Sequence, residues 1–387
     1  VAVPSLCDLR FLEAHYQATA LGLFLGDGPG PVCRTVDTCG ASPITALLEA
    51  RRMVRHEGHT AVAVIGADAV GSMRSAAFLA AADRTAIVAD ADQSSYPPDA
   101  SPAIVRAYDR VAEYQLSSRD ALTRDHLRKA LVLNSYHAGR HRGSLYWERK
   151  GRSDTSSHPA PPYTLDELRE APLVAPHTSI NECAWRADGA ACVVVAADSS
   201  SEEEEEDGAI VIAGGGEASG PLVPPVSMGE RDLGGTRRAM RDAYDEARVD
   251  ASDIDFFGLY DCFPVCLVRA LEASGLCGGD DDNTGSAGVA AWLDDQYERM
   301  LAGDVEDASF YPVNTHGGLM CYGAPFAVPA FYNLVEAVDQ LRGRAQGRQL
   351  PGDPRRALVY GNGGVFSSSA VAILEKKKSR GVDLPTS

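Results

Sequence analysis

Apolar and polar residues change period along the chain, and each change marks an element. Ile44, Leu47, Leu48 and Val54 recur at helical spacing until Gly58 stops them. Ser42 is placed as the N-cap of this helix and Pro43 as its first residue. Ala61-Val62-Ala63-Val64-Ile65-Gly66 follows, short and β-branched, as a strand buried on both faces. A helical segment from Leu9 to Phe24 and a Gly-Pro turn at 28–31 precede this unit. In the second half the same alternation predicts helices over Gly235 to Val249, Phe263 to Ser274 and Val328 to Leu341, with a strand over Ile254 to Tyr260. Ala357–Tyr360 and Val365–Leu374 then read as a closing hairpin around Gly361-Asn362-Gly363-Gly364. Strands alternating with helices imply a parallel sheet and an α/β fold.

Between about Ser72 and Ile180 the pattern loosens, with helical pieces such as Ala121–Leu133 among Pro- and Ser-rich connections, and reads as an insertion. Asp188 to Val195 is a turn feeding a buried strand. Ser199 to Asp207 is a Ser-Glu run with nothing to bury, hence a solvated surface insertion.

With 387 residues, 45% hydrophobic and 23% charged, the chain can bury a large core. No run approaches the roughly 20 apolar residues that span a bilayer. A formal charge of -18 excludes a non-specific nucleic-acid binder, which needs a basic face. The nine cysteines form no CxxC pair, which fits a reducing compartment and predicts no metal site. No secretory leader opens the chain, and its final Pro-Thr-Ser is not a Ser-Lys-Leu address.

Candidate chemistry gathers at four glycine-rich corners. Thr35-Val36-Asp37-Thr38-Cys39-Gly40-Ala41-Ser42 ends a strand-like run and opens a helix, whose positive N-terminus favours a thiolate or a thioester oxygen. Gly258-Leu259-Tyr260-Asp261-Cys262-Phe263 does the same in the second half. The third corner, Val313 to Pro325, carries Asn314, His316, the Gly317-Gly318 pair, Cys321 and Tyr322, and its glycines let backbone approach a ligand. The Gly361-Asn362-Gly363-Gly364 turn is the fourth. Within the insertion, Arg140, His141, Arg142, Arg149, Lys150 and Arg152 surround Tyr146 and Trp147, either as a solvated basic face or as a dock for phosphates and an aromatic ring.

The order and spacing of these corners, with Asp188-Gly189-Ala190-Ala191, resemble the catalytic loops of the thiolase superfamily, in particular its sterol-carrier-protein-type branch. The resemblance implies two similar α/β halves in α-β-α-β-α layers, at 1–71 with 181–208 and at 209–387, with a loop domain at 72–180. A thiolase carries a further strand–helix unit ahead of this point, either missing here or outside the given sequence. The resemblance also implies coenzyme A as ligand or substrate moiety rather than a tightly bound cofactor, an acyl-coenzyme A partner, a homodimer or a monomer, and a mitochondrial or peroxisomal matrix setting. Arg140, Arg142 and Lys150 would face its phosphates, and Ser42, Asn314, Gly317 and Gly318 its thioester end.

At the family's reactive positions the chain departs from the pattern. The nucleophile's place falls on Gly40, with Cys39 one residue earlier. The Gly-His-Pro histidine is Ala324, the second catalytic cysteine is Gly361, and the histidine of the His-Asp-Cys-Phe motif is Tyr260. Ordinary thiolase turnover is therefore not expected. Cys39, Tyr260, Asp261, His316 and Tyr322 remain as candidate reactive groups, either for a protein that binds coenzyme A thioesters or for a hydrolase, acyltransferase or retro-aldolase acting on them.

Overall fold

The computed structural model describes residues 1–7, 12–86, 102–118, 121–153, 156, 158–197, 208–222, 224, 229, 233–278 and 285–377. The Ser-Glu run at 199–207 lies outside them. In the first half, β1 (Ala2–Val3) is followed by α1 (Glu13–Ala20), a 3-10 turn at Cys39–Ala41, α2 (Ser42–Glu57) and β2 (Ala61–Ala69). The next segment holds α3 (Ser75–Ala86), α4 (Ala103–Ser118), α5 (Arg124–Ala138), α6 (Leu145–Arg149) and α7 (Leu165–Arg169). A small hairpin of β3 (Leu173–Ala175) and β4 (Thr178–Ser179) leads to β5 (Asp188–Ala196). The second half runs β6 (Ile210–Ser219), α8 (Gly235–Ala247), β7 (Phe256–Gly258), α9 (Pro264–Ser274), α10 (Gly285–Ala302), α11 (Gly318–Cys321), α12 (Pro329–Leu341), β8 (Arg356–Gly363) and β9 (Ser368–Lys376).

Two mixed sheets result. In one, β1 lies parallel to β2 and β2 antiparallel to β5. In the other the order is β6-β9-β8-β7, with β7 parallel to β8 and the remaining pairs antiparallel. Helices α2 and α12 each pack against strands of both sheets and form the layer between them, while α8 lies along β6 and β9. Glycine sets that spacing on β6. A Cβ on Gly216 would stand 2.0 Å from the Ala239 carbonyl oxygen of α8, and one on Gly215 would stand 2.4 Å from Leu48 of α2. Backbone-level approach on both sides demands residues without a side chain.

Several expectations shift for local reasons. Because Cys39–Ala41 already turns as a 3-10 helix, Ala41 is the N-cap of α2 and Ser42 its first residue. The predicted helix over Leu9 to Phe24 is α1 alone among the described residues. Helix α5 starts and ends later than predicted, at a capping box built by Thr123 and His126. Strand β2 is buried on alternate residues rather than on both faces. Strand β5, expected to be buried, alternates between exposed and half-buried residues, with Val194 65% exposed, because α2 and α12 pack on it from one side only. A cavity of about 760 Å³ opens beside that strand, lined by Leu47, Val54, Val194, Ile212, Leu334 and Val338 among others. None of the glycine-corner residues lines it.

Candidate active site

Three of the four corners meet behind the N-terminus of α2. Thr38 donates its amide to Ser42 Oγ at 2.8 Å, and Cys39 donates to Asp37 Oδ1 at 3.1 Å with φ of +54°. Tight turning at Cys39 brings Gly40 against two neighbours. A Cβ on Gly40 would lie 2.3 Å from the Tyr260 hydroxyl and 2.3 Å from the Asn362 carbonyl oxygen. The volume beside Gly40 is thus filled by a phenol from the next corner. Gly361 is nearly as confined, since its Cβ would lie 3.0 Å from Ala41 Cα. Gly363 faces the Thr38 carbonyl at a distance that no Cβ tolerates.

Sequence reasoning missed the wall behind this junction. Tyr108 of α4 donates its hydroxyl to the Gly364 carbonyl, accepts a hydrogen bond from Asn362 Nδ2 at 2.8 Å and stacks on Phe263 at 4.7 Å. Asn362 Oδ1 is buried without a hydrogen-bond partner among the described residues. Asn362 was visible as the centre of a Gly-Asn-Gly-Gly turn. Tyr108 sits in an unremarkable helical stretch of the insertion, so nothing local marks it.

Electrostatics at the junction favour protonated groups. Burial pushes the Tyr260 phenol well above its ordinary range, and the neighbouring thiols and Asp261 push the same way. Burial also pushes the Cys39 thiol up, against the amides of Gly364 and Gly40, which favour its anion. At neutral pH Tyr260 is a hydrogen-bond donor, and Cys39 a thiol rather than an activated thiolate.

Asp261 points elsewhere. Fully buried, it accepts from the Leu319 amide at 2.8 Å and from Asn134 Nδ2 of α5 at 2.6 Å. Burial raises its carboxyl well above the usual range despite these donors and that of Met320. A Cβ on Gly318 would stand 2.1 Å from Asp261 Oδ2, so only glycine admits this contact, at φ of +63°. Gly317, at φ of +109°, packs on Ala138 in the same way. Asn314 uses both side-chain ends on one residue, accepting from the Leu259 amide and donating to the Leu259 carbonyl, each at 2.8 Å. Asp261, Asn314, Gly317 and Gly318 therefore clamp the Val313–Pro325 loop to β7 and α5.

His316 and Tyr322 form a second group. The buried His316 ring lies 5.3 Å edge-on to Tyr322, whose other neighbours are His141 at 4.9 Å and Tyr332 at 5.2 Å. His316 Nδ1 has no hydrogen-bond partner among the described residues. Burial holds His316 down to about 3, and His137 and His141 each down to about 4, so all three are neutral imidazoles. Behind them Glu336 pairs with Arg348 at 2.9 Å and accepts from Thr315 at 2.6 Å. No hydrogen bond or ring contact among the described residues joins this group to Cys39, Gly40 or Tyr260. Ala324 is tied elsewhere, donating to Trp185 at 2.7 Å and accepting from Ala187 at 3.3 Å.

The basic cluster divides. Arg140 stacks over the Tyr136 ring at 3.4 Å and donates to its carbonyl, while Lys150 pairs with Glu167 at 3.2 Å. Tyr146 and Trp147 are buried, so neither ring is open for stacking. Arg142 is exposed, with a 3.4 Å contact to the Ser156 carbonyl, and the exposed Arg149 lies over the Trp185 ring at 3.8 Å.

A family model described as thiolase C-terminal domain-like matches residues 227–376. Over 213 residues the chain is 26% identical to an acetyl-CoA acetyltransferase of Methanothermobacter thermautotrophicus, covering 55% of this chain and 51% of that protein. Over 196 residues it is 28% identical to human sterol carrier protein 2, covering 49% of this chain and 33% of that protein. The matched part thus spans about half of the archaeal relative and a third of the human one. Two solved structures share the fold. An Ltp2-ChsH2(DUF35) aldolase gives a TM-score of 0.73 at 18% identity, over 98% of this chain and 87% of that one. A monomeric SCP2-thiolase like protein type 1 from Mycobacterium smegmatis gives 0.62 at 16% identity, over 98% and 68%. Fold and relatives together define a thiolase-like protein. Within that class, the relatives and fold neighbours the chain is similar to include members of the sterol-carrier-protein-type branch.

Proposed function

We propose that this protein binds coenzyme A thioesters at the junction of the Cys39, Tyr260 and Gly361 corners and works on them without a covalent acyl-enzyme. The observation that carries this reading is the Tyr260 hydroxyl, standing where a nucleophile's side chain at position 40 would need to be. A neutral phenol at a buried position donates a strong hydrogen bond to a thioester oxygen brought to it, whereas a thiol held protonated is a poor nucleophile. The adenine and phosphate end of the ligand would lie toward Arg142 and Arg149, the exposed cations of the basic cluster. Calorimetry with coenzyme A, acetyl- and acetoacetyl-coenzyme A tests the reading. It requires saturable binding, weakened about tenfold by Tyr260→Phe, with no acyl adduct in the intact mass; absence of binding at millimolar ligand overturns it.

A second reading, retro-aldol cleavage of a 3-hydroxyacyl thioester, is favoured by the same donor. Breaking that carbon–carbon bond leaves an enolate on the thioester oxygen, which a protonated Tyr260 would stabilise. The aldolase with the same fold lends it support. Chromatography of a 3-hydroxyacyl-coenzyme A incubation, looking for a carbonyl product and the shortened thioester, separates cleavage from binding alone.

A further inference from the structure

Nine cysteines are present, and two of them touch. Cys262 Sγ lies 3.4 Å from Cys266 Sγ, across the first turn of α9. Cys262 is half-buried and Cys266 fully buried. The sulfurs of a disulfide lie roughly 2.05 Å apart, so the pair has about 1.4 Å left to close. The backbone on both sides is fixed. The Cys262 carbonyl accepts from Ala184 at 3.1 Å, and the Cys266 amide donates to Phe263 at 2.9 Å. Closing the remaining gap therefore needs side-chain rotation rather than movement of the chain.

We propose that Cys262 and Cys266 are a reversible dithiol site, converted to a disulfide by low-molecular-weight disulfides. The half-buried Cys262 reacts first. As thiolate it attacks one sulfur of the reagent, forming a mixed disulfide and expelling one thiolate, which takes up a proton. Cys266 then attacks the Cys262 sulfur and expels the second thiol, so two protein thiols are oxidised while one reagent disulfide is reduced to two thiols. Contact at 3.4 Å makes the second step intramolecular, and it outruns further modification of Cys262.

The neighbourhood sets the rate and the consequence. Cys39, Cys183, Tyr108, Tyr260 and Asp261 face the pair, and every one of them carries a negative charge when ionised. With burial, this keeps Cys262 a thiol at neutral pH, so exchange is slow and speeds up as pH rises. Tyr108 lies near enough to Cys262 for each to shift the other's titration, so the disulfide would change the surroundings of its hydroxyl. Oxidation thus alters the wall behind Gly40 and Tyr260 without touching Cys39.

The test uses the full chain with oxidised glutathione, and peptide mapping by mass spectrometry after acid quench. The proposal expects loss of two hydrogen masses in the peptide holding both cysteines, full reversal by dithiothreitol, and a rate that climbs about tenfold per pH unit. Cys266→Ser should stop at the Cys262 glutathione adduct, and Cys39→Ala should leave the bridge unchanged. Native-state labelling with iodoacetamide checks that the fold is intact, since Cys266 must stay unlabelled before oxidation. Pairing of Cys262 with Cys39 or Cys183, or a persistent glutathione adduct in the unmutated chain, overturns the proposal. So does the absence of any change at Cys262.

Discussion

Tyr260 and Gly40 share one volume: the phenol oxygen stands 2.3 Å from where a side chain on Gly40 would begin. The missing side chain at one position makes room for the phenol of the other. Gly40→Cys alone should overpack the junction and destabilise the protein by about 2 kcal/mol. Gly40→Cys with Tyr260→Ala should cost less than the sum of the two single changes, although the Asn362 carbonyl still crowds the new side chain. Urea unfolding of both single variants and the double variant measures the coupling, and strictly additive effects would show that the two side chains do not compete.

Reactivity at Cys39 gives a second prediction. Its thiol is held up by burial, so a maleimide should label it at neutral pH at least tenfold more slowly than the exposed Cys7. Site-resolved mass spectrometry over time compares the two. Faster labelling at Cys39 would mark an activated thiolate and return acyl transfer to consideration.

Asp261→Ala should be among the costliest single changes in the chain. It strands the Leu319 amide and Asn134 Nδ2 without an acceptor in a dry setting, for a loss of about 3 kcal/mol. Chemical denaturation at neutral pH reads this directly. Tyr322→Phe, which removes a hydroxyl with no hydrogen bond among the described residues, should change stability by less than about 1 kcal/mol.

Acid should unfold the protein through its buried imidazoles. His316 at about 3 and His137 at about 4 sit below the ordinary histidine value of 6.5, so in that window the unfolded chain binds more protons. Stability is full above pH 6.5 and falls as pH drops toward 4, by up to about 1.4 kcal/mol per pH unit for each group. Asp261 works in the opposite direction, because its raised carboxyl takes up a proton more readily when folded. Glu336 and Arg348 remain paired behind the histidines. Comparing unfolding of the unmutated chain and His316→Gln between pH 7 and 5 isolates one imidazole: the variant should lose about one proton's worth of slope.

The glycine-rich corners were legible in the sequence because each combines a strand end, a helix start and glycine within a few residues. Several helices were legible from their apolar period, including α2, α9 and α12, whereas α3, α4 and α10 were not. Tyr108 and Asn134 were not, since both lie inside regular helices and acquire their roles only through partners more than a hundred residues away. Nor could composition show that Tyr146 and Trp147 are core rather than ligand platforms, because an aromatic among arginines reads the same either way. The unpaired edge of β5 was also invisible, as a strand's sequence does not say how many neighbours it has.

Asp261 has one more consequence. Its carboxyl joins three parts of the chain: the turn after β7, the 313–325 loop and helix α5 of the inserted segment. A segment bolted to the floor of the junction cannot swing on a hinge as a detachable lid. Under the proposed function, a ligand at the junction would therefore meet fixed walls, and selectivity would come from their shape rather than from a closing motion.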